Sequence, residues 1–286
     1  MPYLLFLTVC AIWGSNFMLM KQAALGFSGL QIAVGRVLGG MLVLGLFWGL
    51  QGGRWRIRQA DWLPLAVVIL IGYAWPYTLQ PILVAKHGGA LIGMSVSFVP
   101  LITMILSIPY LGVSPTRRQI IGVFGALACL LAILYESVQR DISLLDVMLA
   151  GSVPLGYAIA NICIRRRLMH ISSLDLSFLS MLWTSLCLAP LCGADPTSIP
   201  QTSAFPWWPL AAVVLLGTVG TGLANWMFNQ LIVQQGPLFA GMVTNVVPLG
   251  AILWGWADHE HVTTLQVVAM FGLISMVALV QTGSAK

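Results

Sequence analysis

The sequence predicts an all-α membrane protein in which ten transmembrane helices form two inverted five-helix repeats. Three observations lead there: charge is scarce, the charge-free runs are long enough to cross a bilayer, and the second half of the chain echoes the first. Charged residues make up 7% of the 286 and hydrophobic ones 59%, where an ordinary soluble domain is about 25% charged. So few ionic groups cannot cover a soluble surface of this size, whereas a lipid environment asks for an apolar exterior.

The charge-free runs locate the spans. A helix needs about 20 residues to cross a hydrocarbon core of ~30 Å. No charge occurs in residues 1–20, between Asp61 and Lys86, or between Lys86 and Arg117, and the run from Pro196 to Ala257 is 62 residues long. That last run holds two spans with a turn near Gln234, Gln235 and Gly236. Spans are expected near 3–21, 30–50, 62–84, 89–111, 119–135, 147–164, 175–193, 208–232, 237–257 and 264–282. The first apolar run has no basic leader and no small-residue cleavage site, so it reads as the first helix and not as a cleaved signal.

Loop charge sets the orientation. With a cytoplasmic N-terminus, Arg54, Arg56, Arg58, Arg117, Arg118, Arg165, Arg166, Arg167 and Lys286 fall inside, and Lys21, Lys86 and Arg140 fall outside. Nine against three is a positive-inside bias. Both termini are then cytoplasmic, which requires an even number of spans, and the expected location is the inner membrane of the cell. The formal charge of +5 is explained by this topology, so no nucleic-acid partner is expected. The five cysteines lie in apolar spans or at their ends, without a CxxC pair, and read as small core residues.

The repeat is visible as GALIGMSVSFVPLITMIL from Gly89 against PLFAGMVTNVVPLGAILW from Pro237. Gly93/Gly241, Met94/Met242, Val96/Thr244, Val99/Val247, Pro100/Pro248 and Leu101/Leu249 all stand 148 apart. Upstream, Pro64 with Pro209 and Gly72 with Gly217 align at spacing 145, which places a three-residue insertion between the blocks. The halves are residues 1–142 and 143–286. Each holds an odd number of spans, so the second enters the membrane from the opposite side, an architecture common among secondary transporters. Such a protein binds its solute near the midplane and exposes it alternately to either side.

Neutral polar and aromatic residues recur on single helical faces within the spans, because helical neighbours are three and four residues apart. The set comprises Trp13 and Asn16, Tyr77 and Gln80 (with Tyr73 on the same face), Ser97, Tyr157 and Asn161, Asn225 and Asn229, and Asn245. A buried amide in lipid is costly unless satisfied, so these faces should look inward. Any one of them could be interhelical glue. An aromatic beside most amides favours a shared substrate cavity for the set. Pro100 and Pro248 lie mid-span, where each frees the carbonyl four residues earlier, of Val96 and of Thr244. They are hinge or kink candidates, with a static bend as the plain alternative.

Arg36 is the one charge well inside a span. It could bind a carboxylate, although an arginine two turns from a helix start more often snorkels to the interface or pairs structurally. Lys21 and Lys86 read as interfacial anchors. Asp258-His259-Glu260-His261 holds two alternate histidines in a loop without a distant third ligand, so no metal is expected. Thr218-Val219-Gly220-Thr221-Gly222 looks like a channel filter, but such a filter needs four copies around an axis. Glycines easing helix packing explain it better. No Walker motif, triad or deep acidic residue occurs, so neither cofactor nor enzymatic activity is expected. Transport should be facilitative or by exchange, without carboxylate-based proton coupling.

The stretch WGSNFMLMK from Trp13 to Lys21, Arg36, the glycine- and proline-bearing fourth and ninth helices, and Glu260 before the tenth resemble the EamA-type drug/metabolite transporter family across the whole chain. Gly112 departs from the family pattern where the first half should carry the mate of Glu260. The resemblance implies a ten-helix bundle with cytoplasmic termini that exports metabolites or amino acids. Within the family the chain looks most like the YddG-type aromatic amino-acid exporters. Aromatic rings for stacking and amides for hydrogen bonding suit amphipathic, net-neutral solutes such as aromatic and hydrophobic amino acids. The expected protein is a monomer in the lipid bilayer whose partner is a small-molecule substrate. A multidrug or other metabolite exporter fits the same features. A channel is the reading from another class, although a pore would want rings of charge or carbonyls.

Overall fold

The computed structural model describes residues 2–53, 57–111, 116–139, 142–192, 207–241 and 243–282. Among them there is no β-strand. Seven helices are long and apolar enough to cross a membrane: α1 (Pro2–Ala23), α2 (Gly29–Leu50), α3 (Gln59–His87), α4 (Gly89–Tyr110), α6 (Leu144–Leu168), α7 (Ser173–Cys192) and α8 (Trp207–Leu231). Three further apolar segments are shorter: Ile120–Cys129 within α5 (Arg117–Gln139), α9 (Val243–Ala257), and Thr264–Met276 within α10 (Thr264–Thr282). The ten-helix, two-repeat membrane architecture expected from sequence is the observed one.

One boundary differs. The turn expected at Gln234 to Gly236 falls inside helix, because helix continues beyond the spanning part of α8 to Gly241 and α9 starts at Val243. A Gly-Pro pair is a strong break signal in a soluble chain. Inside a membrane bundle the freed backbone groups can be satisfied locally, so the helix persists.

Packing follows the repeat. Helix α1 lies against α8 and α9, and its counterpart α6 lies against α3 and α4. Helix α2 packs on α7, and α5 on α10. Two crossings are made by glycine. A Cβ on Gly14 would meet the Cα of Gly250 at 3.0 Å, and one on Gly39 would meet that of Gly217 at 2.9 Å. Close approach of backbones is how membrane helices gain dispersion energy where no hydrophobic drive exists between them. Leu42, Leu46, Phe124 and Phe271 stay exposed and face lipid.

Charges sit at helix ends and tie elements together. The Glu260 carboxylate accepts the N–H groups of Gly89 and Ala90, each at 2.8 Å, at the start of α4. It also accepts from Lys21 Nζ at 3.0 Å, and Lys21 pairs with Asp258 as well. Lys86 Nζ, at 2.6 Å, and His87 Nε2, at 3.0 Å, converge on Asp146 of α6. Lys21 and Lys86 are therefore paired to acids across the repeats, and are not the plain interfacial anchors expected from sequence. At the opposite face His170 meets Asp61 at 2.9 Å, and Trp48 Nε1 donates to Asp175 at 2.8 Å.

Three helices carry a device that periodicity did not signal. The backbone is π-helical over Val68–Ala74 of α3, Ile164–Leu168 of α6 and Leu216–Leu223 of α8. The turns in α3 and α8 start 148 residues apart, so α3 and α8 align there at the same spacing as α4 and α9. Gly72 then corresponds to Gly220, and not to Gly217. Gly72 abuts Ala160 of α6 as Gly220 abuts Asn16 of α1. The two prolines are housed differently. The Val99 N–H takes the Val96 carbonyl in a 3₁₀ turn, Val96–Phe98, just before Pro100, whereas Pro248 sits within unbroken α-helix.

The crossing geometry makes a direct prediction. Gly39→Ala should destabilise by about 1–3 kcal/mol, since its neighbour is backbone and cannot step aside. Gly151→Ala has nothing within 4 Å and should leave thermal stability in detergent unchanged or slightly raised. Equal melting temperatures for the two variants would contradict the packing described.

Candidate functional site: a central cavity

The inward faces of α1, α3, α6 and α8, with Arg36 of α2, surround a cavity of about 100 Å³. Both halves line it. From α1 come Trp13, Asn16, Phe17 and Met20, and from α2 comes Arg36. Helix α3 supplies Gly72, Tyr73, Tyr77 and Gln80; α6 supplies Tyr157, Ala160, Asn161 and Ile164. Asn225, Phe228 and Asn229 of α8 complete the wall with Val96 and Val99 of α4 and Thr244 and Val247 of α9.

The structure therefore brings together Trp13, Asn16, Tyr77, Gln80, Tyr157, Asn161, Asn225 and Asn229. It leaves out Ser97 and Asn245. Ser97 is buried with its hydroxyl donating to Met270 Sδ at 3.4 Å, toward α10. Asn245 is buried with an Oδ1 that has no partner among the described residues. Neighbouring positions of α4 and α9 line the cavity instead. The mates Val96/Thr244 and Val99/Val247 point into the cavity, and one residue of helix is a rotation of about 100°. Phe17, Met20, Phe228 and Thr244 were not singled out by sequence, although Met20 is one helical turn from Asn16.

Most amides are engaged. Asn16 Nδ2 donates to the Gly220 carbonyl at 3.0 Å. Asn225 Nδ2 donates to Tyr77 Oη at 3.0 Å and to the Thr221 carbonyl at 2.6 Å, and Asn229 Nδ2 donates to Ser177 Oγ at 2.6 Å. Asn161 makes no hydrogen bond among the described residues, so its amide is presented to the cavity. The rings form two clusters: Trp13 tilts on Phe228 at 4.8 Å between centroids, and Tyr73 meets Tyr77 edge-on at 5.5 Å.

Arg36 follows the structural-pairing alternative and not the snorkelling one. It neither snorkels nor reaches an interface, and only 3% of it is exposed. Its Nε donates to Thr221 Oγ1 at 3.2 Å, and Nη1 to Gln80 Oε1 at 3.3 Å and Met20 Sδ at 3.7 Å. The guanidinium carbon lies 3.9 Å from the centroid of the Tyr77 ring. Gln80 Oε1 is shared, since Tyr157 Oη donates to it at 3.2 Å. The signal that could have found this role was the isolation of Arg36 itself: no other charge lies so deep in a span.

Known proteins bear on this arrangement. The EamA-like transporter family matches the chain over residues 1–135 and again over 145–282. The chain belongs to the EamA-like transporter family. It is thus a multi-pass membrane protein of a family whose members move small molecules and are not enzymes. No curated protein matches the sequence. A crystal structure of a protein 17% identical superposes with a TM-score of 0.68, covering 98% of this chain and 97% of that one. This likeness speaks to the fold of the transporter.

The cation–π contact can be tested apart from the hydroxyl. Tyr77→Phe keeps the ring under Arg36, and Asn225 retains its bond to Thr221, so stability should be nearly that of the parent. Tyr77→Leu removes the ring and should cost about 0.5–2 kcal/mol more, read as a lower melting temperature in detergent. Equal losses for the two variants would show that the hydroxyl, and not the ring, supports Arg36.

Proposed function

We propose that this transporter exports amphipathic small metabolites, aromatic and hydrophobic amino acids foremost, by facilitative alternating access through the central cavity. In this reading it works as a monomer in the inner membrane with both termini cytoplasmic, as the loop charge and the YddG-type resemblance suggest. The observation that carries it is the mixed wall: aromatic rings from α1, α3, α6 and α8 stand beside neutral amides, with Asn161 unengaged. Rings offer a stacking surface at little conformational cost, and a free amide oxygen can accept from an ammonium group.

The cavity volume bears on mechanism. About 100 Å³ is well below the roughly 300–1,000 Å³ of sites that hold drug-sized ligands. Rocking of the two repeats would widen the cavity for a solute of amino-acid size. In this reading Pro100 and Pro248, on α4 and α9, act as the hinges of that motion.

In proteoliposomes holding only this protein, labelled phenylalanine or tryptophan should move down its gradient with saturation and ignore an imposed pH step. Asn161→Leu should lower that rate at least roughly tenfold without a comparable fall in melting temperature, the scale of one lost charge-assisted hydrogen bond. Absence of uptake would remove aromatic amino acids as the substrate and leave amphiphilic drugs or other metabolites to be screened. Single-channel currents would overturn the carrier reading.

A further inference from the structure

We infer that Arg36 is the receptor for a substrate carboxylate, so that the cavity selects solutes by their carboxylate and not by their ammonium group. The inference rests on the central-cavity reading above, which rings and amides carry without Arg36.

The argument is one of charge and valence. Arginine cannot shed its proton in a protein, so its charge persists when buried. An unpaired charge in a low-dielectric interior is strongly unfavourable, and such groups are paired or partly solvated. Yet the partners of Arg36 are a hydroxyl, an amide oxygen, a thioether and an aromatic face, all neutral. No carboxylate among the described residues forms an ion pair with it. Its Nη2 makes no hydrogen bond among them either, although Arg36 lines the cavity. No aspartate or glutamate shares that lining.

These neutral contacts do a specific job. Thr221 and Gln80 fix the plane of the guanidinium from two sides, and the Tyr77 ring closes one face of it. What remains is a preoriented cationic edge without an anion, beside a stacking surface. Guanidinium and carboxylate are matched in geometry and bond with charge assistance. Nothing in the lining offers an ammonium group the same, because its acceptors there are neutral amides and hydroxyls. A carboxylate is therefore required, whereas an amine, through Asn161, adds to binding without being required.

Three solutes of one hydrocarbon skeleton test this: phenylalanine, 3-phenylpropionate and phenethylamine. Each is added to purified protein in detergent, and the rise in melting temperature is titrated. Phenylalanine and 3-phenylpropionate should both stabilise, and phenethylamine should do so at least roughly tenfold more weakly. Arg36→Gln should abolish the carboxylate effect. Should that variant fail to fold, Gln80→Glu decides: it supplies the missing anion internally, so it should raise the melting temperature and no longer respond to either carboxylate. Phenethylamine binding as tightly as 3-phenylpropionate, no stabilisation by either acid, or an undiminished response in Gln80→Glu or Arg36→Gln would overturn the inference. Arg36-dependent binding of 3-phenylpropionate alone, without phenylalanine binding or uptake, would sink the amino-acid reading and uphold the carboxylate receptor.

Discussion

A guanidinium placed in the middle of a membrane protein dictates much of what surrounds it. It keeps its charge and brings five N–H donors in a rigid fork, and lipid supplies no acceptors. Arg36 on α2 is met from three sides, by Met20 of α1, by Tyr77 and Gln80 of α3, and by Thr221 of α8. The glycine crossing is part of the same solution. Only because Gly39 and Gly40 let α8 approach at Gly217 and Gly222 does the Thr221 hydroxyl come within reach. The π-turn over Leu216–Leu223 holds Gly217, Gly220, Thr221 and Gly222 together, so close packing, widened helix and acceptor share one segment.

Polar chemistry is thus divided by depth. The acids Asp61, Asp146, Asp175, Asp258 and Glu260 lie at helix ends or in the α9–α10 loop, where they accept from helix N–H groups or meet lysine, histidine and tryptophan. Glu260 closes the start of α4, where two N–H groups would otherwise be unsatisfied. Mid-membrane, among the described residues, the inventory is neutral apart from Arg36. The halves differ in this respect. Helix α7 answers α2 in the repeat and packs on it, but it presents the small hydroxyls Ser177, Ser180 and Thr184 in buried positions. Backbone symmetry is kept and side-chain charge is not, so the cavity has one cationic side.

How far the sequence discloses this depends on the kind of information asked of it. Helix number and repeat architecture follow from charge-free runs and matched glycines, because the bilayer fixes span length and inverted halves must share turns. Helical-face spacing finds Tyr77, Gln80, Tyr157, Asn161, Asn225 and Asn229, since each face is set within one helix. It fails at Ser97 and Asn245 because rotation about α4 and α9 is set by their neighbours, and polarity is a poor guide where Val96, Val99 and Val247 are the lining. The π-turns have no sequence period of their own, which also hides the pairing of Gly72 with Gly220. For Arg36 the sequence leaves snorkelling and structural pairing both open, because linear distance from a helix start says nothing of what lies overhead. There Ser28 and Gln31 close the start of α2 in a reciprocal cap.

The position of the charge relative to the repeats can itself be derived. Tyr77 and Asn225 are 148 residues apart and hydrogen-bonded at 3.0 Å. That is the spacing at which α3 corresponds to α8 at their π-turns and α4 to α9 downstream. Two residues that are equivalent by a two-fold operation can touch each other only where they lie beside its axis, as in any isologous contact. The Tyr77–Asn225 pair therefore marks the pseudo-two-fold axis. Arg36, stacked on the Tyr77 ring, stands next to that axis, where the two repeats meet and where movement of one against the other displaces side chains least. Under the alternating access proposed above, a cationic group anchored there would keep its place while the walls on either side exchange. This is the location at which inverted-repeat transporters hold their solutes, reached here from a single hydrogen bond and the period of the chain.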